Sequence, residues 1–146
     1  MMENVKVLLV DDEKDFVETL AERLKLRELS ITICYNGEDA IRVVKDEEVE
    51  VDVVVLDVQM PGIDGIATLR EIKQLAPLIE VIMLTGHATV QTAIDGMKLG
   101  AYDYIMKPVE NKNLVDKINK AYVRKMDQEE RIRQAEIESI VKTKGW

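Results

Sequence analysis

Five side chains suited to chemistry share one placement in this chain, because each follows directly on a short apolar run. Asp11 and Asp12 follow Val5 to Val10, Asp57 follows Val53 to Leu56, Thr85 follows Val81 to Leu84, and Lys107, with Pro108 next, follows Ala101 to Met106. If those runs are strands of one parallel sheet, the five residues gather at its carboxyl edge, where open α/β sheets bind ligands. Three carboxylates at one edge repel each other, and Asp12 and Asp57 abut apolar runs that solvate charge poorly. A cation must compensate. A few carboxylates completed by waters and a substrate phosphate suit Mg²⁺, or Mn²⁺ in its place, better than Ca²⁺, and no acidic calcium loop is present. Lys107 adds a second positive charge, able to pair with a carboxylate or a phosphoryl oxygen. A carboxylate attacks phosphorus to give an acyl phosphate when cations neutralise and align the incoming group. Asp57 stands alone on its strand end and is the candidate nucleophile. Asp11 and Asp12 are left to hold metal, and Thr85 can offer a hydroxyl to an equatorial oxygen. A single Asp after a strand reads more simply as a helix N-cap; coincidence is a poor account of all five.

The elements that must position these residues follow from hydrophobic periodicity. Apolar runs alternate with amphipathic stretches, as in a parallel sheet covered on both faces. The runs Val5 to Val10, Ile31 to Tyr35, Val53 to Leu56, Val81 to Leu84 and Ala101 to Met106 predict five strands. Lys14 to Lys25, Glu38 to Lys45 and Gly65 to Leu75 predict helices with one apolar face each. A fourth helix, about Thr89 to Leu99, is expected to cover the sheet with Val90, Ala93, Ile94 and Met97, to be weakened by Gly96, and to be the helix that moves. The fifth starts near Asn111 with Leu114, Val115, Ile118, Ala121 and Tyr122 inward and has no evident stop before Lys144. The stretch 125–146 reads as an extension of that helix beyond a domain spanning 1–124. Acid-before-base spacing at Asp127/Arg131, Glu129/Arg133 and Glu138/Lys142 supports it. Ile132, Ile137, Ile140 and Val141 do not hold a clean heptad, so a solvated tail is expected, with a dimerising coiled coil as the alternative.

The segments Leu8-Leu9-Val10-Asp11-Asp12-Glu13, Leu56-Asp57-Val58-Gln59-Met60-Pro61-Gly62-Ile63-Asp64-Gly65, Leu84-Thr85-Gly86-His87-Ala88 and Met106-Lys107-Pro108 together resemble the receiver domains of two-component response regulators. The resemblance covers residues 4 to 124 and implies a flavodoxin-like, doubly wound (βα)5 fold with strand order 2-1-3-4-5. It implies Asp57 as phosphoacceptor for a sensor histidine kinase, and Mg²⁺ held by the side chains of Asp12 and Asp57, the backbone carbonyl of Gln59, and Asp11 through water. By the same resemblance Thr85 is the switch hydroxyl, Lys107 the phosphate partner, Tyr104 the aromatic that turns inward on phosphorylation, and Lys107-Pro108 a cis bond. Output to a downstream protein is expected on the face of the fourth helix, fifth strand and fifth helix, where a homodimer is also expected if one forms. Gln59 and His87 each follow a site residue by two and are expected to flank the attacking water and tune acyl-phosphate lifetime. His87, which no neighbouring carboxylate orients, otherwise reads as a loop residue at the site rim. Met60-Pro61-Gly62 reads as turn chemistry.

Other functions fit less well. Flavin and dinucleotide sites need a phosphate loop after the first strand, where Asp11-Asp12-Glu13 stands. An aspartyl-phosphate phosphatase needs a general acid two residues after its nucleophile, and that position holds Gln59, so a phosphoacceptor rather than a turnover enzyme is expected. The net charge of −8 disfavours nucleic acid. One cysteine, Cys34, gives no disulfide framework. With no leader-like start and charges interrupting every apolar run, a soluble, cytoplasmic protein is expected. The stretch from Thr85 to Pro108 also resembles receivers that precede AAA+ transcriptional activators, so a regulatory fragment of such a protein is the alternative context.

Overall fold

A computed structural model describes residues 4–59, 64–86 and 90–144. Strands β1 (Lys6–Val10), β2 (Ser30–Cys34), β3 (Val53–Asp57), β4 (Glu80–Thr85) and β5 (Asp103–Met106) alternate with helices α1 (Lys14–Lys25), α2 (Gly37–Lys45), α3 (Gly65–Leu75), α4 (Val90–Lys98) and α5 (Asn111–Lys144). All strand pairs are parallel and the order is β2-β1-β3-β4-β5, the topology expected from the resemblance. The chain passes from β1 outward to β2 and then back across to β3, so the order reverses between β1 and β3 and opens a crevice there.

β3 and β4 are buried throughout, as strands covered on both faces must be. Residue parity divides the core in two. Val7, Leu9, Val53, Val55, Ile82, Leu84 and Ile105 pack with α1 and α5, while Leu8, Val10, Val54, Leu56, Val81 and Met83 pack with α2 and α3. Asn36 and Asp64 cap α2 and α3, accepting hydrogen bonds from the backbone N–H of Asp39 (2.8 Å) and Ala67 (2.7 Å). Helices and strands match the periodicity to within a residue or two.

Three differences carry information. The apolar stripe of α4 does not cover the sheet: Val90 is 78% exposed, Ile94 and Met97 are also exposed, and Gly96 is the residue buried there. A Cβ on Gly96 would lie 2.1 Å from Met83 Sδ, so this glycine allows α4 to seat on the sheet. Its expected start at Thr89 lies outside the described residues. Glu80, one residue before the apolar run Val81 to Leu84, opens β4 and is 2% exposed, with Lys73 Nζ at 3.6 Å and Arg124 Nε at 3.1 Å. Finally, α5 runs unbroken to Lys144, but its ion pairs shift: Glu129 meets Lys125 (2.7 Å) and Arg133 meets Glu130 (2.5 Å).

Candidate functional site

β1 and β3 end side by side, Val10 level with Leu56, and β3 beside β4, with Asp57 level with Leu84. That register delivers Asp11, Asp12 and Asp57 to one place, with carboxylate oxygens within 4.8 Å of one another. Asp11 and Asp57 are buried and Asp12 is exposed. Each buried carboxylate is oriented by its own turn: Asp11 Oδ1 accepts from Glu13 N–H (2.9 Å) and Asp57 Oδ1 from Gln59 N–H (3.0 Å). Gln59 thus holds Asp57 through its backbone, and its side chain is exposed.

Backbone bonds hold these strand ends in place. The N–H of Asp11 donates to Cys34 O (3.1 Å), Val58 to Leu84 O (3.3 Å), Gly65 to Val58 O (3.3 Å) and Lys107 to Thr85 O (2.8 Å). The start of α3 presses on the turn after Asp57 so closely that a Cβ on Gly65 would lie 2.2 Å from Val58 Cα and 2.6 Å from Asp57 O. The Lys107-Pro108 peptide is cis.

Lys107 reaches back into the carboxylates. Its Nζ is 2.9 Å from Asp11 Oδ2, 3.2 Å from Glu13 Oε1 and 3.8 Å from Asp57 Oδ2, and it lies 4.4 Å from the centroid of the Phe16 ring. The approach to Asp11 Oδ2 is an ion-pair distance, and among the described residues that buried oxygen has no partner in hydrogen-bond geometry. Burial pushes the Asp57 carboxyl up to about 6; the Gln59 N–H opposes this, Asp11 adds to it, Lys107 opposes it, and Asp12 adds to it. Burial works against the charge on Lys107 too, but Asp11, Asp57 and Glu13 outweigh it and hold that ammonium above the usual lysine value. Lys107 alone does not balance the cluster. Two buried carboxylates, one with its carboxyl raised, and three acidic ligands in reach fit a hard divalent cation.

Thr85 is buried at the end of β4, beside β5, with Met106 level with it. Tyr104 is 42% exposed and lines, with Val90, Ala93, Ile94, Met97 and Lys98, a groove of about 540 Å³ between β5 and α4. The structure therefore brings together Asp11, Asp12, Asp57 and Lys107, puts Thr85 on the adjoining strand end, and leaves Tyr104 outward. His87 and the Met60-Pro61-Gly62 turn lie outside the described residues. Glu13 and Phe16 escaped the sequence reading as neighbours of Lys107: Phe16 was legible only as a core-facing position of α1, and no local spacing links it to β5. Gly65 was legible as a helix start but not as a close-approach point.

The model of the response regulator receiver domain family matches residues 7–119. The NtrX-like response regulator of Rickettsia typhi is 36% identical over 122 residues, which are 82% of this chain and 25% of that protein. The transcriptional regulatory protein ZraR of Escherichia coli is 36% identical over 119 residues, 82% of this chain and 26% of its own length. The chain thus spans about a quarter of the length of these curated relatives. Among solved structures, a response regulator receiver domain protein from Clostridium thermocellum superposes with a TM-score of 0.79 at 34% identity, covering 84% of this chain and 97% of its own.

Proposed function

The chain belongs to the response regulator receiver domain family, and from that premise we propose that it is a Mg²⁺-dependent switch phosphorylated on Asp57. Receivers of this family are phosphorylated by histidine kinases and regulate downstream output; they are signalling modules rather than turnover enzymes. The observation that carries the reading is Asp57 itself: buried and oriented by one N–H, it lies in reach of two further carboxylates and one ammonium.

In the proposed reaction a carboxylate oxygen of Asp57 forms a bond to phosphorus as the bond from phosphorus to the donor's nitrogen or oxygen breaks. Mg²⁺, with Mn²⁺ able to replace it, would be held by Asp11, Asp12, Asp57 and the backbone carbonyl of Gln59, and supplies charge neutralisation of the phosphoryl oxygens. Asp57 must be ionised to attack. The Gln59 N–H fixes its carboxylate, and Lys107 exchanges its carboxylate partners for a phosphoryl oxygen. The Thr85 hydroxyl is drawn to the phosphoryl group, and Tyr104 leaves its outward position for the space so vacated. The two packings exchange populations, and phosphorylation favours the second. Gln59 and His87 tune how long the acyl phosphate lasts.

A sensor histidine kinase is the proposed donor, acting in the cytoplasm, and the α4-β5-α5 face the proposed output surface toward a partner protein. A homodimer would use that face or the extended α5. One observation favours a second context, the regulatory portion of a longer AAA+ activator: this chain matches about a quarter of each curated relative. Among the described residues no helix is long and apolar enough to cross a membrane. The test is intact-protein mass after incubation with acetyl phosphate and Mg²⁺. One phosphate adduct, lost with chelator and in Asp57→Asn, is the expected result; an adduct that persists in Asp57→Asn would refute the assignment.

A further inference from the structure

Lys107 has an acidic neighbour for each of its three N–H donors. Asp11, Glu13 and Asp57 all lie within 4.0 Å of its ammonium, and Asp12 belongs to the same cluster. Such a field draws a flexible four-carbon side chain toward the cluster from more than one side. Charge pulls the ammonium toward several oxygens at once, and phosphoryl transfer needs it at one point.

The Phe16 ring supplies a further direction. It comes from the first turns of α1, packs against the core formed by α1, α5 and the sheet, and places its centroid 4.4 Å from Lys107 Nζ. Attraction of a cation to a ring is strongest over the face and fades toward the edge, so an anchored ring adds a directional restraint on the ammonium that the exposed Glu13 carboxylate does not. The ring also carries no acceptor of the kind Glu13 offers. It cannot take a hydrogen bond that a phosphoryl oxygen would need, whereas Glu13 Oε1, at 3.2 Å and on a largely exposed side chain, can.

We propose that Phe16 is a positioning residue for phosphoryl transfer, holding the Lys107 ammonium over its ring face so that it meets the incoming phosphoryl oxygen. This rests on the reading of Asp57 as phosphoacceptor. The bland alternative, that Phe16 only fills the core, makes different predictions for the same substitutions.

Phe16 is the single phenylalanine of the chain, so biosynthetic incorporation of mono-, di- and trifluorophenylalanine alters this ring and no other. Fluorination drains the ring face of negative charge with little change in shape. The rate of Asp57 adduct formation from acetyl phosphate at saturating Mg²⁺ is expected to fall step by step along the series, by about threefold to tenfold in all. The fall should appear in the rate at saturating donor rather than in the donor concentration for half-maximal rate. Phe16→Leu should show the full loss and Phe16→Tyr, which keeps the ring, should recover most of it. In the unphosphorylated protein, the ε-methylene NMR signals of Lys107 should carry a ring-current shift that Phe16→Leu abolishes. A flat rate across the fluorinated series in a protein that does phosphorylate overturns the proposal, and so does a Lys107 signal indifferent to Phe16→Leu. Failure of the unsubstituted protein to form an adduct instead overturns the phosphoacceptor reading, and the NMR shift still reports whether the ring holds the lysine.

Discussion

Asp57 is destabilising in the metal-free protein. Its folded carboxyl keeps a proton up to about pH 6, while the unfolded chain releases it near the ordinary aspartate value of 3.8. Between those values the native state binds more protons than the unfolded state, so stability falls as pH rises through the window and the penalty is complete above it. Asp57→Asn is therefore expected to stabilise the chelated protein by about 1 to 3 kcal/mol at pH 7.5, with the difference from wild type vanishing near pH 3.5. Paired thermal melts at the two pH values check this; an equal difference at both would show that the effect is not electrostatic. The same carboxyl makes cation binding compete with a proton. Apparent Mg²⁺ affinity, by calorimetry, should fall about tenfold per pH unit below 6 if one proton is displaced. Adding Mg²⁺ at pH 7.5 should reverse the instability of wild type and leave Asp57→Asn little changed. These residues were legible because strand-end position is written in the apolar run before each one. Phe16 and Glu13 were not legible as neighbours of Lys107, because their contact with it spans α1 and the end of β5 and leaves no periodicity.

Two glycines seat helices against the sheet, and they differ in what a side chain would strike. At Gly65 an added Cβ meets the backbone, 2.2 Å from Val58 Cα, and backbone cannot yield without moving the turn after Asp57. At Gly96 it meets Met83 Sδ at 2.1 Å and Cε at 2.3 Å, the far end of a flexible side chain. Gly65→Ala is expected to cost on the order of 2 to 4 kcal/mol and to slow phosphorylation, by prising α3 from the Asp57 turn. Gly96→Ala should stay within about 1 kcal/mol, since Ala favours helix by a similar amount and Met83 can repack. Urea unfolding of the two variants checks the order, and a Gly96→Ala loss as large as that of Gly65→Ala would mean that Met83 is locked. Helix existence and the core faces of α1, α2 and α3 were legible from spacing. The orientation of α4 was not: its apolar residues have helical spacing, but the close contact at Gly96 turns them to solvent beside Tyr104, and periodicity does not say which side of a stripe a neighbour occupies. That exposed stripe is why the α4-β5-α5 face remains the proposed output surface.

At the scale of the molecule, α5 ties the core to the amino edge of the sheet. Leu114, Val115, Ile118 and Ala121 are buried in the core. One turn later Arg124 Nε stands 3.1 Å from buried Glu80 and its guanidinium lies 5.6 Å from the Tyr102 ring, while Lys125 Nζ is 3.0 Å from Asp52, whose other oxygen accepts from Lys6 N–H at 2.8 Å. This clamp on the amino edge of the strands had no sequence signal, because Glu80 falls outside the apolar run that predicts β4 and its partners come from α3 and α5. Arg124 and Lys125, which make these contacts, are consecutive residues of α5. Residues 131–140 are all exposed. A chain ending at residue 130 should therefore melt within about 2 °C of the full chain, whereas one ending at 122 leaves Glu80 with Lys73 alone and Asp52 without its lysine. Breaking a buried pair by removing one partner is strongly destabilising, and a loss of about 2 to 3 kcal/mol in a domain of this size lowers the melting temperature on the order of 10 °C. If the chain ending at 130 melted as low as the shorter one, residues 131–144 would be contributing stability that an exposed single helix cannot supply. Sedimentation would then have to find the second copy that covers Ile132, Ile137 and Ile140.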